Sequence, residues 1–414
     1  MCPGGCDDPR VGKQLDKAGF AGRHTQYIYE EAGVARMTRQ LALWGETSTS
    51  EDPDFLSKQL ITCIGNKRAL LGPIGIAVEK VKRRLKKEKL RVFDVFSGSG
   101  VVSRFLKAHS NYIAANDIED FAVVVARCFL TNRSKVNWST LLDIVSDINS
   151  RVDVEPMPMG FIEELYSPRD EANISPEDRV FYTKKNARRL DNYRRLIEQA
   201  PVEFHDLLLG PLLSEASIHA NTAGVFKGFY KDRRTGIGQF GGTKRDALKR
   251  ILADIVLEAT ILSRFECEYE VFQGDANEVV RKEKGFDFAY IDPPYNQHPY
   301  GSNYFMLNLI AKYKRPQSIS RVSGIPKDWR RSDYNKRAKC YHALQDLLRN
   351  IDAKYLLVSY NNEGFVCEEE MVVLLRELGR LEVYETRYNA FRGSRNFNNR
   401  SIHVVERFFL VERE

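Results

Sequence analysis

Short apolar runs alternate with segments whose apolar residues fall at helical spacing, and that rhythm predicts an α/β protein. Residues 92–96, 112–115, 269–272, 286–291 and 355–360 are each of strand length, end in turn residues and are apolar on both faces, as strands of a covered, mostly parallel sheet must be. Between them, Phe121, Val124, Val125, Cys128 and Phe129 recur with helical period. The rhythm breaks over 147–266 into polar sequence, with helices predicted at 176–198 and 246–262 around a glycine-rich loop. It closes on two apolar runs, 381–387 and 401–411, which predict an antiparallel hairpin finishing the sheet. The chain thus divides into four pieces: an N-terminal extension and linker (1–57, with a helix predicted at 27–44 and an acidic, Ser/Thr-rich linker at 45–54), a first half-sheet (58–146), an inserted, mainly helical module (147–266) and a second half-sheet (267–414).

Composition narrows the setting. The 414 residues are 43% apolar, enough for a core, and no apolar stretch approaches the ~18 residues a membrane span needs. The start of the chain lacks the apolar stretch of a signal peptide, and seven scattered cysteines, an odd number, suit a reducing cytoplasm. Cys2 and Cys6 have no Cys or His neighbours with zinc spacing, so no metal is expected. A net charge of +7 and a pI near 8.9 are compatible with a polyanionic partner.

Candidate chemistry concentrates at two strand ends. Behind residues 286–291 stand Asp292-Pro293-Pro294-Tyr295. An exocyclic amino group of a nucleobase gives its lone pair to the ring and becomes nucleophilic only when acceptors draw on its N–H groups. Asp292 and the Pro293 carbonyl offer two acceptors, the paired prolines remove competing donors, and Tyr295 offers a ring to an extruded base. Behind 92–96, the loop formed by Asp94, Phe96, Ser97, Gly98, Ser99 and Gly100 runs into a helix expected near Val101, where missing Cβ atoms permit close approach and free N–H groups face a ligand carboxylate. A dinucleotide fingerprint wants glycine where Ser103 stands, which disfavours NAD. Asp117, with Ile118 beside it, ends the next strand, where an acidic side chain takes ribose hydroxyls or caps a helix.

Together these segments resemble the S-adenosylmethionine-dependent N6-adenine DNA methyltransferases, in the group ordered cofactor motif, target-recognition insert, Asp-Pro-Pro-Tyr, which includes the DNA adenine methylases and many restriction-modification methylases. The resemblance runs from about residue 60 to the C-terminus. It implies a Rossmann-like methyltransferase sheet with an inserted recognition domain and S-adenosylmethionine as cofactor. It also implies that Ile64, Gly65 and Lys67 hold the methionine end of that cofactor, that Asp275 and Ala276 cap its adenine, and that Asn303, Tyr304, Leu307 and 358–362 are the family's downstream elements. Cys63 stands where an aromatic residue is commoner.

Sequence reading is expected from the insert. Residues 219–245 interleave glycine, aromatic and cationic residues; Asn221 and Gln239 are of a type to read base edges, and Lys227, Lys231 and Lys244 to neutralise phosphates. His298, close behind Tyr295, is expected at the base entrance, and the basic run 312–337 is expected to close over DNA. The partner implied is double-stranded DNA, with a cognate restriction endonuclease or other defence-system subunits. Cytosine N4 in DNA, adenine in RNA and a glutamine amide are chemically similar acceptors, and a DNA-binding scaffold subunit, silent without a partner, is the alternative of another class.

Overall fold

The computed structural model describes residues 26–29, 51–242, 245, 247–389 and 403–414. Eight strands make one sheet: β1 (Gln26–Tyr29), β2 (Leu90–Asp94), β3 (Ser110–Asp117), β4 (Glu268–Gln273), β5 (Phe286–Ile291), β6 (Ala353–Asn361), β7 (Gly379–Asn389) and β8 (His403–Arg413). Their order is β1-β7-β8-β6-β5-β2-β3-β4. Strands β2 to β6 run parallel, and β8 inserts antiparallel between β6 and β7 as the hairpin pattern predicts. The chain winds from β2 out to β4, then returns to β5 on the other side of β2, so β2 and β5 flank the switch point where open α/β sheets bind ligands beyond their carboxyl ends. Strand β1 corrects the helix predicted over 27–44; the rest of that prediction, like most of the N-terminal extension, lies outside the described residues.

The principal helices are α1 (Leu71–Leu85), α2 (Val101–Lys107), α3 (Asp120–Leu130), α4 (Trp138–Arg151), α5 (Lys184–Gln199), α6 (His205–Ile218), α7 (Phe305–Lys312), α8 (Arg337–Asn350) and α9 (Glu368–Arg376). Period-two alternation sends Val92, Tyr290, Leu357 and Phe408 to one face of the sheet, under α1 and α2, and Phe93, Ile291, Val358 and Phe409 to the other, under α8 and α9. Both faces are dry, which is why these strands read as unbroken apolar runs. None of the helices among the described residues is long and apolar enough to cross a membrane.

The segment between α4 and β4 departs from its sequence reading. Helix α4 runs through the boundary expected at 146. Helix α5 begins only at Lys184, N-capped by Thr183, because the preceding residues are held extended where the Phe181 amide donates to the Tyr166 carbonyl. The helix predicted at 246–262 shrinks to Leu248–Leu252. From there to β4 the chain is extended and clamped by four side-chain amides. Asn186, Asn149, Gln59 and Asn132 each donate to a backbone carbonyl (Ala253, Leu257, Ala259, Cys267) and each accept from a nearby backbone N–H (Ile255, Leu257, Ile261, Cys267), at 2.8–3.3 Å. These amides do the work of a partner strand, satisfying backbone groups that burial would otherwise orphan. Helix α6, buried along most of its length, packs among α3, α5 and α7 in a core apart from the two that cover the sheet.

Candidate active site

One cleft opens at the carboxyl ends of β2, β3 and β5, enclosing about 1050 Å³ with its mouth included. Its floor is the turn after β2. Gly100 holds φ +75° there, and a Cβ would lie 2.9 Å from Val125, so only glycine lets the turn seat against α3. Ser97 and Asn116 line the cleft, and Ser97 Oγ and Asn116 Oδ1 are buried without a hydrogen-bond partner among the described residues. Buried polar atoms are rarely left so, which is the mark of a site built to hold a polar ligand.

Asp117, at the tip of β3, also lines the cleft. Its Oδ2 accepts from Gly98 N at 2.8 Å and its Oδ1 from Glu119 N at 2.9 Å, so it ties the glycine turn to the start of α3. Desolvation pushes its carboxyl above the usual range, opposed by those backbone donors. Beside it Glu119, 3% exposed, is pushed up to about 7 by desolvation and by Asp117. Asp117 shapes the turn and lines the cleft, but it does not cap α3, whose N-cap position is Glu119.

At the other end, β5 delivers Asp292 to the cleft. Lys67 Nζ lies 3.0 Å from Asp292 Oδ1 and 3.3 Å from a carboxylate oxygen of Glu406 on β8. Lys67 is 3% exposed, Glu406 0% and Asp292 19%. Asp292 Oδ1 is buried against the ammonium without hydrogen-bond geometry, so the exposure belongs to the rest of the side chain and Oδ2 is the oxygen left to a ligand. Desolvation lifts Asp292 to about 6; Lys67 opposes the rise and Glu406 adds to it. Lys67 itself stands well above the ordinary lysine range: burial works against its charge, but the two carboxylates outweigh burial. Tyr295 turns its ring edge to Tyr360 at a centroid distance of 5.9 Å, and the Phe365 amide donates to the Tyr295 carbonyl, which fixes the loop.

Ten of the thirteen residues expected at the cofactor line this cleft: Gly65, Lys67, Phe96, Ser97, Gly98, Ser99, Asp117, Ile118, Asp275 and Ala276. Ile64, Asp94 and Gly100 do not. Ile64 is tied by its backbone, its N–H donating to Tyr304 and its carbonyl accepting from Tyr300, both at 2.6 Å. Asp94, 1% exposed, lies behind the turn, where Ser103 donates to it and desolvation lifts it to about 7. Gly65, at φ +77°, leaves room for the Tyr295 and Tyr300 hydroxyls, 3.5 and 3.6 Å from where its Cβ would stand. All four of Asp292, Pro293, Pro294 and Tyr295 line the cleft.

The insert residues are scattered. Asn221 is fully buried, its amide donating to the Val180 and Gln239 carbonyls and accepting from Gly241 N, so it holds the glycine loop together and has nothing left to read a base. Phe226 and Phe229 are buried against Phe181. Lys227 is exposed, Lys231 half-buried over the Phe229 ring, and Gln239 half-buried with Nε2 on the Lys231 carbonyl. Lys244 lies outside the described residues, and His298 is exposed on the loop after Tyr295.

Sequence reasoning missed the segment that closes the cleft. Arg330, Ser332, Tyr334 and Asn335 line it, drawn from the basic run expected on DNA. Tyr334 meets Phe96 edge-on at 5.2 Å, and Arg330 donates to the Ile118 carbonyl and to Asp120. Only the pairing of Arg330 with the acidic start of α3 carried any sequence signal, and that pairing spans 210 residues.

Comparison with known proteins agrees with this geometry. Residues 64–373 match the family model of the D12 class N6 adenine-specific DNA methyltransferases. The chain is 30% identical over 368 residues to the modification methylase StsI of Streptococcus sanguinis, covering 85% of this chain but 52% of that protein, so it spans about half the length of that relative. It is 26% identical over 360 residues to the type II methyltransferase M.NlaIII of Neisseria lactamica, covering 84% of this chain and 99% of that one. It is 28% identical over 321 residues to the type II methyltransferase M.CviAII of Paramecium bursaria Chlorella virus 1, covering 76% and 88%. With a glycine turn, an acidic strand tip and an Asp-Pro-Pro-Tyr loop facing one cleft, and a family match over three-quarters of its length, this chain belongs to the D12 class N6 adenine-specific DNA methyltransferases.

Proposed function

We propose that this protein moves a methyl group from S-adenosylmethionine to N6 of an adenine extruded from a specific sequence in duplex DNA, as the modification enzyme of a restriction-modification or related defence system. One observation carries the reading: the open Asp292 oxygen and the Asp117 carboxylate face the same cleft, which is also lined by the Ser97 hydroxyl of the turn after β2 and the Asn116 amide oxygen of β3, both buried without a partner among the described residues. When bound, S-adenosylmethionine supplies an electrophilic methyl group on a sulfonium that leaves as a neutral thioether. Asp117 takes the ribose hydroxyls; Gly98 and Ser97 accommodate the close approach of the ligand. Asp292 Oδ2 and the Pro293 carbonyl accept from the adenine amino group and free its lone pair, and the amino nitrogen sheds one proton after transfer. Among the described residues Cys63 is the cysteine that lines the cleft, and burial pushes its thiol well above the ordinary range, so it offers no thiolate for a covalent intermediate; the protein orients and polarises. Modification-sensitive single-molecule sequencing of DNA from cells expressing the chain should show N6-methyladenine in one sequence context. N4-methylcytosine, or unmodified DNA, would overturn the reading.

Tyr295 serves as the stacking platform. Tyr295→Phe should keep most activity, whereas Tyr295→Ala loses base stacking worth about 1–3 kcal/mol and should hold the flipped base poorly. Fluorescence of 2-aminopurine at the target position reads this directly, and equal loss in both variants would assign the role to the hydroxyl.

We infer that the segment between α4 and β4 reads duplex DNA, with Lys227 and Lys231 on phosphates and His298 at the base entrance. Replacing both lysines by Gln should flatten the salt dependence of DNA binding by up to about 0.9 log unit per lost contact and leave cofactor affinity unchanged. An unchanged salt slope moves the footprint to the exposed cations of 312–337.

A further inference from the structure

Among the described residues, Glu406 is the one fully buried carboxylate that reaches the catalytic loop, and it lies beyond the matched residues 64–373. It sits on β8, opposite Asn361 in the antiparallel ladder with β6, and accepts from Ser359 Oγ at 2.6 Å while facing Lys67 at 3.3 Å. Lys67 thus stands between two carboxylates, one on the catalytic loop and one on the terminal hairpin. Other titratable groups near Asp292 are Asp94 on β2, Tyr290 on β5, Tyr295 on the loop and Tyr300 beyond it. Among the described residues, Lys67 is the only cation in the set of groups that act on Asp292.

A simple Asp–Lys pair would be a poor catalyst here. As the methyl group transfers, the amino nitrogen gains positive charge, and a neutralised carboxylate offers that charge little. A second carboxylate sharing the same ammonium changes the sum: two negative charges against one positive. Keeping a net negative charge out of water is costly, and fold stability alone gives no reason for it, since buried pairs contribute little over apolar packing.

We propose that Glu406 is a positioning residue of the reaction: by sharing Lys67 it leaves the Asp292–Lys67–Glu406 cluster net negative, so that Lys67 orients Asp292 without quenching it as an acceptor. The proposal rests on the methyl-transfer reading above. Its signature is a pair of opposite effects. Glu406 raises the proton affinity of Asp292 and Lys67 lowers it. Removing Glu406 must therefore move the Asp292 titration, and the acidic limb of kcat, to lower pH; removing Lys67 must move both to higher pH. A merely structural clamp would part the titrations too, by charge alone, but would leave kcat unchanged at a pH above them.

The test uses the full chain with two variants, Glu406→Gln, which is isosteric and still accepts from Ser359, and Lys67→Met. The Asp292 carboxyl is titrated by carbon-13 NMR of aspartate-labelled, ligand-free protein, its signal identified by loss in Asp292→Asn, and kcat is measured against pH as N6-methyladenine formed in duplex DNA. Nearby charges shift a carboxyl by about 1–3 pH units, so Glu406→Gln should titrate at least about one unit lower and Lys67→Met at least about one unit higher than wild type. At pH 8 Glu406→Gln should lose about tenfold or more in kcat with KM unchanged, since removing one group that stabilises developing charge costs about 10²–10³ at most. A titration that stays put or moves against its stated direction, or a Glu406→Gln kcat at pH 8 equal to that of wild type, overturns the proposal, and Glu406→Gln decides alone if Lys67→Met does not fold. If the titrations part as stated but wild type forms no N6-methyladenine, the reaction is wrong and the charge cluster stands. If N6-methyladenine forms and the titrations do not part, the cluster alone falls.

Discussion

Asp292→Ala should slow methyl transfer about a thousandfold while leaving the protein folded and able to bind both cofactor and DNA. Asp292 Oδ2 is the open charged acceptor at the end of β5, and removing a single preorganised group that acts on developing charge costs about 10²–10³ in kcat. The loss here should reach the upper end, because Lys67 would then face the amino group with only Glu406 to balance it. Asp292→Asn is the sharper variant: it keeps the shape and one acceptor oxygen but removes the charge, and should fall nearly as far. Single-turnover formation of N6-methyladenine, with cofactor affinity from calorimetry, separates chemistry from binding. An Asp292→Asn protein with near wild-type turnover would mean that the Pro293 carbonyl suffices and that the charge is incidental. Desolvation raises Asp292 above the ordinary carboxylate range, so the charged acceptor is lost, and activity should fall, at a higher pH on the acid side than for a free aspartate.

The second large effect concerns the cofactor. Asp117→Ala should weaken S-adenosylmethionine about ten- to a hundredfold, since hydrogen bonds to a charged group are worth about 1.5–3 kcal/mol. Because the same carboxylate accepts from Gly98 N and Glu119 N, the substitution should also loosen the turn, and loss of a capping acceptor costs about 0.5–2 kcal/mol of stability. Asp117→Asn should lose the charge and one of the two backbone bonds, since each carboxylate oxygen accepts from a different N–H, so thermal unfolding measured beside calorimetry separates the turn from the ribose. Calorimetry that finds unchanged affinity in a folded Asp117→Ala protein would leave Asp117 as a turn residue alone and place the ribose elsewhere in the cleft.

How much of the site was legible depends on how local each signal is. The glycine turn, Asp117 and Asp-Pro-Pro-Tyr were readable because each is a strand end followed by residues with special backbone chemistry, all within a few positions. Asn221 misled for the opposite reason. Its type and its glycine-rich neighbourhood suit base readout, but its amide is spent on Val180, Gln239 and Gly241, partners 18 to 41 residues away. The run 312–337 was expected to close over DNA by its charge, and its part in lining the cleft, with Arg330 on the Ile118 carbonyl and Tyr334 against Phe96, had no local signal.

The sequence by itself determined the parallel core of the sheet and its closing hairpin, though not β1, and the order of the motifs along it. Period-two burial and turn chemistry are written into neighbouring residues, and no distant contact is needed to express them. Only the tertiary structure decided what distant side chains do to one another. It turned 253–267 into an extended segment clamped by Asn186, Asn149, Gln59 and Asn132, against its helical pattern, because backbone satisfaction in a buried setting outweighs local propensity. It likewise brought Glu406 from the last strand to Lys67 and Asp292. The charge on a buried carboxylate depends on which groups share its desolvated space, and that is fixed when β8 takes its place beside β6, more than a hundred residues after the catalytic loop is written.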